Sequence, residues 1–174
     1  FRKIDKHNIH FAQADLTTFS NPDSFDLIIC VDVMEHIEDD NIVFKNFYTS
    51  LRTGGMLLVS TPSDLGGSDA HDHDDGSFIG EHVRNGYNKE AVQKQLTDAG
   101  FSSTEAYYTY GKPGHIAWVL SMKIPIKMLG ISKLFFILLP FWYLITFPFF
   151  VFLNYLDTVI QHKGGTGLLV KAWK

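Results

Sequence analysis

The run FDLIICVDV, from Phe25 to Val33, restricts the fold of this chain more than any other stretch. A nearly continuous apolar segment rich in Ile and Val suits a strand covered on both faces, as in a parallel sheet with helices on each side. MLLVSTP, ending at Pro62, has the same character. Between them, EDDNIVFKNFYTSLRTGG predicts a helix with Asp39 or Asp40 at its N-cap. Phe44, Phe47, Tyr48 and Leu51 follow at three-and-four spacing, and Gly54 and Gly55 are the expected stop.

The rest of the chain extends this alternation. IHFAQADL, Ile9 to Leu16, reads as a short strand before the turn-rich TTFSNPDS. NKEAVQKQLTDAG predicts a helix capped by Asn88, with Val92, Leu96 and Ala99 on one face and a stop at Gly100. FSSTEAYYTYG and the final GTGLLVKAWK read as two more strands. Strands alternating with helices call for an α/β architecture with a mostly parallel sheet. Ligands of such sheets bind at the carboxyl ends of strands, so the positions to search follow Leu16, Val33 and Pro62.

At 174 residues the chain suits one domain. A net charge of −4 argues against a nucleic-acid partner, which would need clustered Lys and Arg. The charge is uneven: from Gly111 to Lys163 there are five lysines and a single acid, Asp157, while the remainder is acidic. The lone Cys30 excludes an internal disulfide framework and fits a reducing, cytoplasmic compartment. The chain opens on Phe1 without a signal peptide, and the expectation is that it starts inside a longer protein.

QADL, FDLIICVDVMEHI, LRTGGMLLVSTPS and LTDAGF, taken in order, resemble the S-adenosylmethionine-dependent methyltransferases of the class I, Rossmann-like family. They look most like the small-molecule branch that includes quinone-biosynthesis methyltransferases. The resemblance covers about Ile9 to Tyr110 and resumes at the last strand. It implies a Rossmann-like sheet, truncated at its N-terminus, over residues 1–110 and 164–174, with a hydrophobic, helical insertion at 111–163 before the last strand.

The resemblance also implies site residues. Asp15 would hold the adenine amine and the Leu16 amide would face the adenine ring. Val31, Asp32 and Val33 would line the methionine and sulfonium end, with His36 packed beside the cofactor. Read without the resemblance, Asp15 caps a turn, and Glu35 and His36 cap and pack a helix start. The family's Gly-rich first strand and the acid of its second strand have no counterpart before Ile9. That departure keeps a second reading open, a non-catalytic membrane-associated or dimerising module that retains the fold without a complete pocket. A dinucleotide-dependent Rossmann enzyme is a third, for which no hydride-transfer motif is visible.

The loop SDLGGSDAHDHDDGSFIGEHVRNGY gathers His71, His73 and His82 among acids, without the spacing of a metal site. A solvated loop is the simpler reading, and a lid over substrate the functional one. His71, His73, His82 and Arg84 are weak candidates for orienting or deprotonating a small, hydrophobic or lipid-like acceptor.

The run LFFILLPFWYLITFPFFVFLNY, Leu134 to Tyr155, carries no charge and passes the length test for a membrane span. Pro140 and Pro148 are expected to divide it into shorter pieces. The last strand must also return to the sheet the chain left. The expected structure is therefore a helical hairpin whose apolar face, over 131–156, covers a peripheral contact with the inner face of a membrane, a lipophilic substrate, or a second copy in a homodimer.

Overall fold

The computed structural model describes residues 9–66 and 83–174. Four strands form one sheet: β1 (Phe25–Val31), β2 (Leu51–Pro62), β3 (Ser103–Thr109) and β4 (Gly167–Trp173). Their order is β1-β2-β4-β3. β1 runs parallel to β2, whereas β4 is antiparallel to both β2 and β3. The expectation of a mostly parallel sheet is thus corrected to a mixed one, because β4 reaches its place between β2 and β3 by a hairpin-like return.

Helix α1 (Asp40–Ser50) crosses from β1 to β2 and buries Val43, Phe44 and Phe47. It ends earlier than its glycines suggest. Leu51 already belongs to β2, and Gly54 sits inside that strand at φ +80°, where the register with β1 shifts between Phe25 and Leu27. The glycines serve an irregularity in the strand, a position that favours a residue without Cβ, and not the helix stop.

Helix α2 (Lys89–Asp98) follows its sequence closely. The Asn88 side chain accepts the N–H groups of Glu90 and Ala91, each at 3.1 Å. Val92 and Leu96 are fully buried. The core between the sheet and these two helices contains Phe44, Met34, Leu51, Leu57, Leu96 and Leu168, each without solvent exposure. Burying one such side chain contributes about 1.5–3 kcal/mol.

Ile9 to Leu16 is not a strand. A strand exists through its ladder, and no described strand lies beside this segment. β1 likewise has a single described neighbour, and its Leu27, Ile29 and Val31, which share one face of the strand, are exposed despite the apolar sequence.

The segment between β3 and β4 is helical. α3 (Lys112–Trp118) continues through a π-helical turn (Val119–Lys123) into α4 (Ile124–Ile131). A 3-10 turn (Lys133–Ile137) then leads to α5 (Leu139–Val159), which packs back along α3. Pro140 occupies the first turn, where a missing N–H costs nothing, and Pro148 lies within the helix without ending it. The expected division of the run therefore holds at Pro140, where the 3-10 turn gives way to α5, and fails at Pro148. α5 has 21 residues and, among the described helices, is the one long and apolar enough to cross a membrane by length and composition.

Candidate functional site at the carboxyl ends of the strands

The junction after β1 is the centre of the site. The Asp32 N–H donates to the Ser60 carbonyl at 2.9 Å, and Asp32 then adopts φ +50°. A non-glycine residue held there costs about 1 kcal/mol, and such strain concentrates at functional positions. The chain turns out of the sheet and leaves Val31, Asp32 and Val33 exposed.

Two depressions meet at Val31. An apolar groove of about 500 Å³ follows the outer edge of β1, past Leu16, Phe19, Leu27, Ile29, Val31 and Val33. A cleft of about 470 Å³ lies over the strand ends, lined by Val31, Asp32, Thr61, Tyr110, His115 and Trp118. A further hollow of about 540 Å³ shares Ser60, Thr109, Tyr110 and Trp118 with the cleft and extends to Asn154 and Thr158 on α5. The helical segment thus supplies one wall of the cleft.

Of the residues expected to hold a cofactor, Leu16, Val31 and Val33 come together in the edge groove, and Asp32 joins Val31 in the cleft. Asp15 is exposed. Its Oδ1 accepts the Thr17 hydroxyl at 2.7 Å and the Thr17 N–H at 2.9 Å, and these bonds hold its carboxyl below the usual carboxylate range. This is the turn-capping geometry that an isolated Asp favours.

His36 is the exposed end of a 3-10 turn, Met34–His36, whose other two residues are buried. The Thr61 hydroxyl donates to the buried Glu35 carboxylate at 3.2 Å and so ties that turn to β2. Below it lies Cys30, whose thiol is pushed up to about 11 by burial first and then by the negative charges of Glu35 and Asp32. A thiol so placed is not a nucleophile at neutral pH.

Arg84 is absent from the lining of the cleft. Its guanidinium pairs with the buried carboxylate of Asp40 and donates to the carbonyls of Ile37 and Glu38. It also lies 4.9 Å from the centre of the Tyr87 ring. The Tyr87 hydroxyl donates to Asp40 Oδ2 at 2.8 Å and to the Met34 carbonyl at 3.1 Å. This cluster fastens the chain after the loop to the start of α1. The three loop histidines, His71, His73 and His82, lie outside the described residues. Among the described residues no group of His, Cys, Asp and Glu is gathered to hold a metal.

The sequence reading passed over His115, an exposed imidazole of α3 on the cleft wall, 6.2 Å from the Trp118 ring. The rule that points beyond strand ends applies to β3 as well. Applied there, it leads through Tyr110 to GKPGHIAW and to His115.

Residues 2–106 match the family model of the methyltransferase domain. Phosphoethanolamine N-methyltransferase 1 of Zea mays is 33% identical over 95 residues, covering 54% of this chain and 19% of that protein. Its Arabidopsis thaliana counterpart is 32% identical over 111 residues, covering 57% and 20%. The chain thus spans about a fifth of the length of these curated relatives. Among solved structures, an S-adenosylmethionine-dependent methyltransferase of Thermotoga maritima matches 97% of this chain and 66% of its own, with a TM-score of 0.60 at 15% identity. Phosphoethanolamine N-methyltransferase 2 of Haemonchus contortus, in complex with S-adenosyl-L-methionine, matches 92% of this chain and 36% of its own, with a TM-score of 0.54 at 18% identity. These relatives lend no support to the narrower likeness to quinone-biosynthesis enzymes. With a family model matching more than half of its length and the α/β sheet of these folds, the chain belongs to the methyltransferase domain family.

Proposed function

We propose that this chain forms the acceptor side of an enzyme that transfers a methyl group from S-adenosylmethionine to a small, lipophilic acceptor. The observation that carries the reading is the position of Val31, shared between the edge groove and the cleft walled by Asp32, His115 and Trp118. The described residues fit one side of the cofactor. The apolar groove offers a flat wall for a purine, and the Asp32 carboxylate stands where that groove opens into the cleft.

When bound, the cofactor supplies an electrophilic methyl group on a sulfonium. The residues of this chain would do the rest by position. Leu16, Val31 and Val33 would exclude water from one side, and Trp118 and Tyr110 would orient an apolar acceptor in the cleft. Holding two reactants in line is worth several orders of magnitude in rate. His115 would accept the proton of an acceptor hydroxyl or ammonium, a task suited to imidazole near neutral pH.

A second reading takes phosphoethanolamine as the acceptor, by analogy with the relatives named above. Among the described residues the cleft lining holds no Lys or Arg. Phosphate recognition relies on such side chains, and this favours the lipophilic acceptor. The test is calorimetry and turnover with the natural full-length protein. Heat with S-adenosylmethionine, and methyl transfer to an acceptor presented in detergent or lipid, are expected. No heat with S-adenosylmethionine overturns the reading, and transfer to phosphoethanolamine alone selects the second.

A further inference from the structure

We propose that the hairpin made by α3–α4 and α5 docks the protein on an anionic membrane, lying in one leaflet without crossing it. The rotation of α5 is set from within the hairpin. Trp142 Nε1 donates to the Leu120 carbonyl at 3.0 Å and the Tyr143 hydroxyl donates to the Ser121 carbonyl at 2.8 Å. Thr146 is buried on the same side. The opposite side is therefore fixed outward. Phe141, Leu144, Ile145, Phe152, Tyr155 and Val159 lie there, each exposed by more than half, and Phe147 and Phe149 on its flanks are exposed to the same degree. An amphipathic helix normally turns such a stripe toward a core. Here the stripe runs the length of a 21-residue helix and no described residue covers it.

Charge decides what the cover is. At the tip of the hairpin, Ile131 and Leu134 are 79% and 76% exposed beside the exposed Lys127 and Lys133. The single acid of the whole segment, Asp157, is turned inward against Gly114 and His162. The same segment of a second copy, packed face to face on this one, would bring the same lysines and no accessible acid of its own. An anionic lipid surface supplies both the hydrocarbon and the opposite charge, and lysines beside an apolar helix face attract such a surface.

Topology decides the depth. Thr109 pairs with Gly167, so the hairpin leaves and rejoins the sheet at one place. Two passes through a bilayer would drag Lys123, Lys127 and Lys133 across and leave them on the far side, against the bias that keeps lysines on the cytoplasmic face. Lying in the leaflet, the same lysines reach the headgroups. The walls contributed by His115 and Trp118 then place the mouth of the cleft beside the lipid. The docking rests on the hairpin alone and stands apart from the chemistry proposed above.

The test is co-sedimentation of the natural full-length protein with vesicles of phosphatidylcholine, with and without about 30% phosphatidylserine. Binding to the anionic vesicles is expected. The pair Lys127→Glu and Lys133→Glu should weaken that binding at least ~fivefold. The pair Leu144→Glu and Phe152→Glu should abolish it, with thermal unfolding unchanged because both side chains are exposed. Failure of the wild type to sediment, or sedimentation unchanged in both pairs, overturns the proposal. So does a wild-type dimer that the Leu144/Phe152 pair converts to monomers without altering sedimentation. For depth, Gly130→Cys puts a thiol where a Cβ meets nothing within 4 Å. Labelling of bound protein by a membrane-impermeant maleimide supports a hairpin in the outer leaflet. Labelling only after detergent shows a crossing and overturns that part.

Discussion

The carboxylate of Asp157, near the end of α5, accepts the Gly114 N–H in the first turn of α3, Oδ1 to N at 3.0 Å. Its other oxygen accepts the Tyr110 N–H, also at 3.0 Å, and Oδ1 lies 2.9 Å from His162 Nε2. One side chain thus closes the base of the hairpin. It gives α3, whose own N-cap Gly111 has no side chain, the acceptor and negative charge that a helix start needs.

Asp157→Ala should therefore destabilise the protein by about 2–3 kcal/mol, because two backbone donors lose a charged acceptor. Asp157→Asn keeps one acceptor oxygen and should cost less. Gly114→Ala would set a Cβ 2.6 Å from Asp157 Oδ2 and should force the same contact apart. Chemical denaturation of the three variants against the wild type measures the ranking. Equal stability of Asp157→Ala and the wild type would refute the clamp.

The cluster around Asp40 makes a second, separable prediction. Burial, then the hydrogen bond to Asp40 and its charge, push the Tyr87 hydroxyl above its ordinary range and so favour its protonated, donating form. Tyr87→Phe should cost about 1 kcal/mol for the lost hydrogen bond. Asp40→Ala should cost about 3 kcal/mol, since it leaves Arg84 without its buried partner. The double variant should cost less than the sum, as groups within one network do. Urea titrations of the cycle give the coupling directly.

Cys30 should reveal itself through alkaline pH. Its folded value, about 11, lies above that of a free thiol, so the unfolded chain releases the proton first. The stability linked to this group is fully present below about pH 8.5 and declines as pH rises toward the folded value. Stability measured between these limits should fall with a slope that Cys30→Ala removes. At pH 8 the native thiol should resist alkylation, and urea should release it. Rapid labelling of native protein would contradict the burial.

For the proposed chemistry, His115→Ala in the full-length protein should lower kcat by about 10²–10⁴ with an acceptor that must lose a proton. The fold should be unaffected, because the ring is exposed on the cleft wall. The readout that separates chemistry from packing is the split between the kinetic constants: kcat should fall with KM little changed, and His115→Gln should fail to restore it.

The legible part of the fold was the part written in local pattern. FDLIICV and MLLVSTP announced two strands, though one face of β1 is exposed where burial on both faces was expected, and Asn88 announced its helix by a side chain that caps it. The return of the last strand to the sheet was expected, and β4 lies there antiparallel to both β2 and β3. What was misread depended on tertiary surroundings. IHFAQADL has the residues of a strand but no described neighbour to bond with, and Gly54 looked like a helix stop because a strand irregularity leaves the same mark. Pro148 lies inside α5 although an isolated helix would kink or break there. In the candidate site, Val31, Asp32 and Val33 were implied by the resemblance, and they lie where β1 ends beside the groove and the cleft. His115 was hidden in a stretch whose greasiness drew attention first, and Arg84 is drawn to Asp40, 44 residues away, which no local spacing reveals.

The outer side of β1 carries a last consequence. Its backbone has one described neighbour, and Leu27, Ile29 and Val31 stand exposed along it, without a proline and with Asp26 as the strand's single charge. Unblunted edges of this kind are templates on which further chains can add. A polypeptide of these residues made by itself should polymerise through that border at modest concentration. Solubility during production then becomes a direct readout of whether something else in the natural protein covers it.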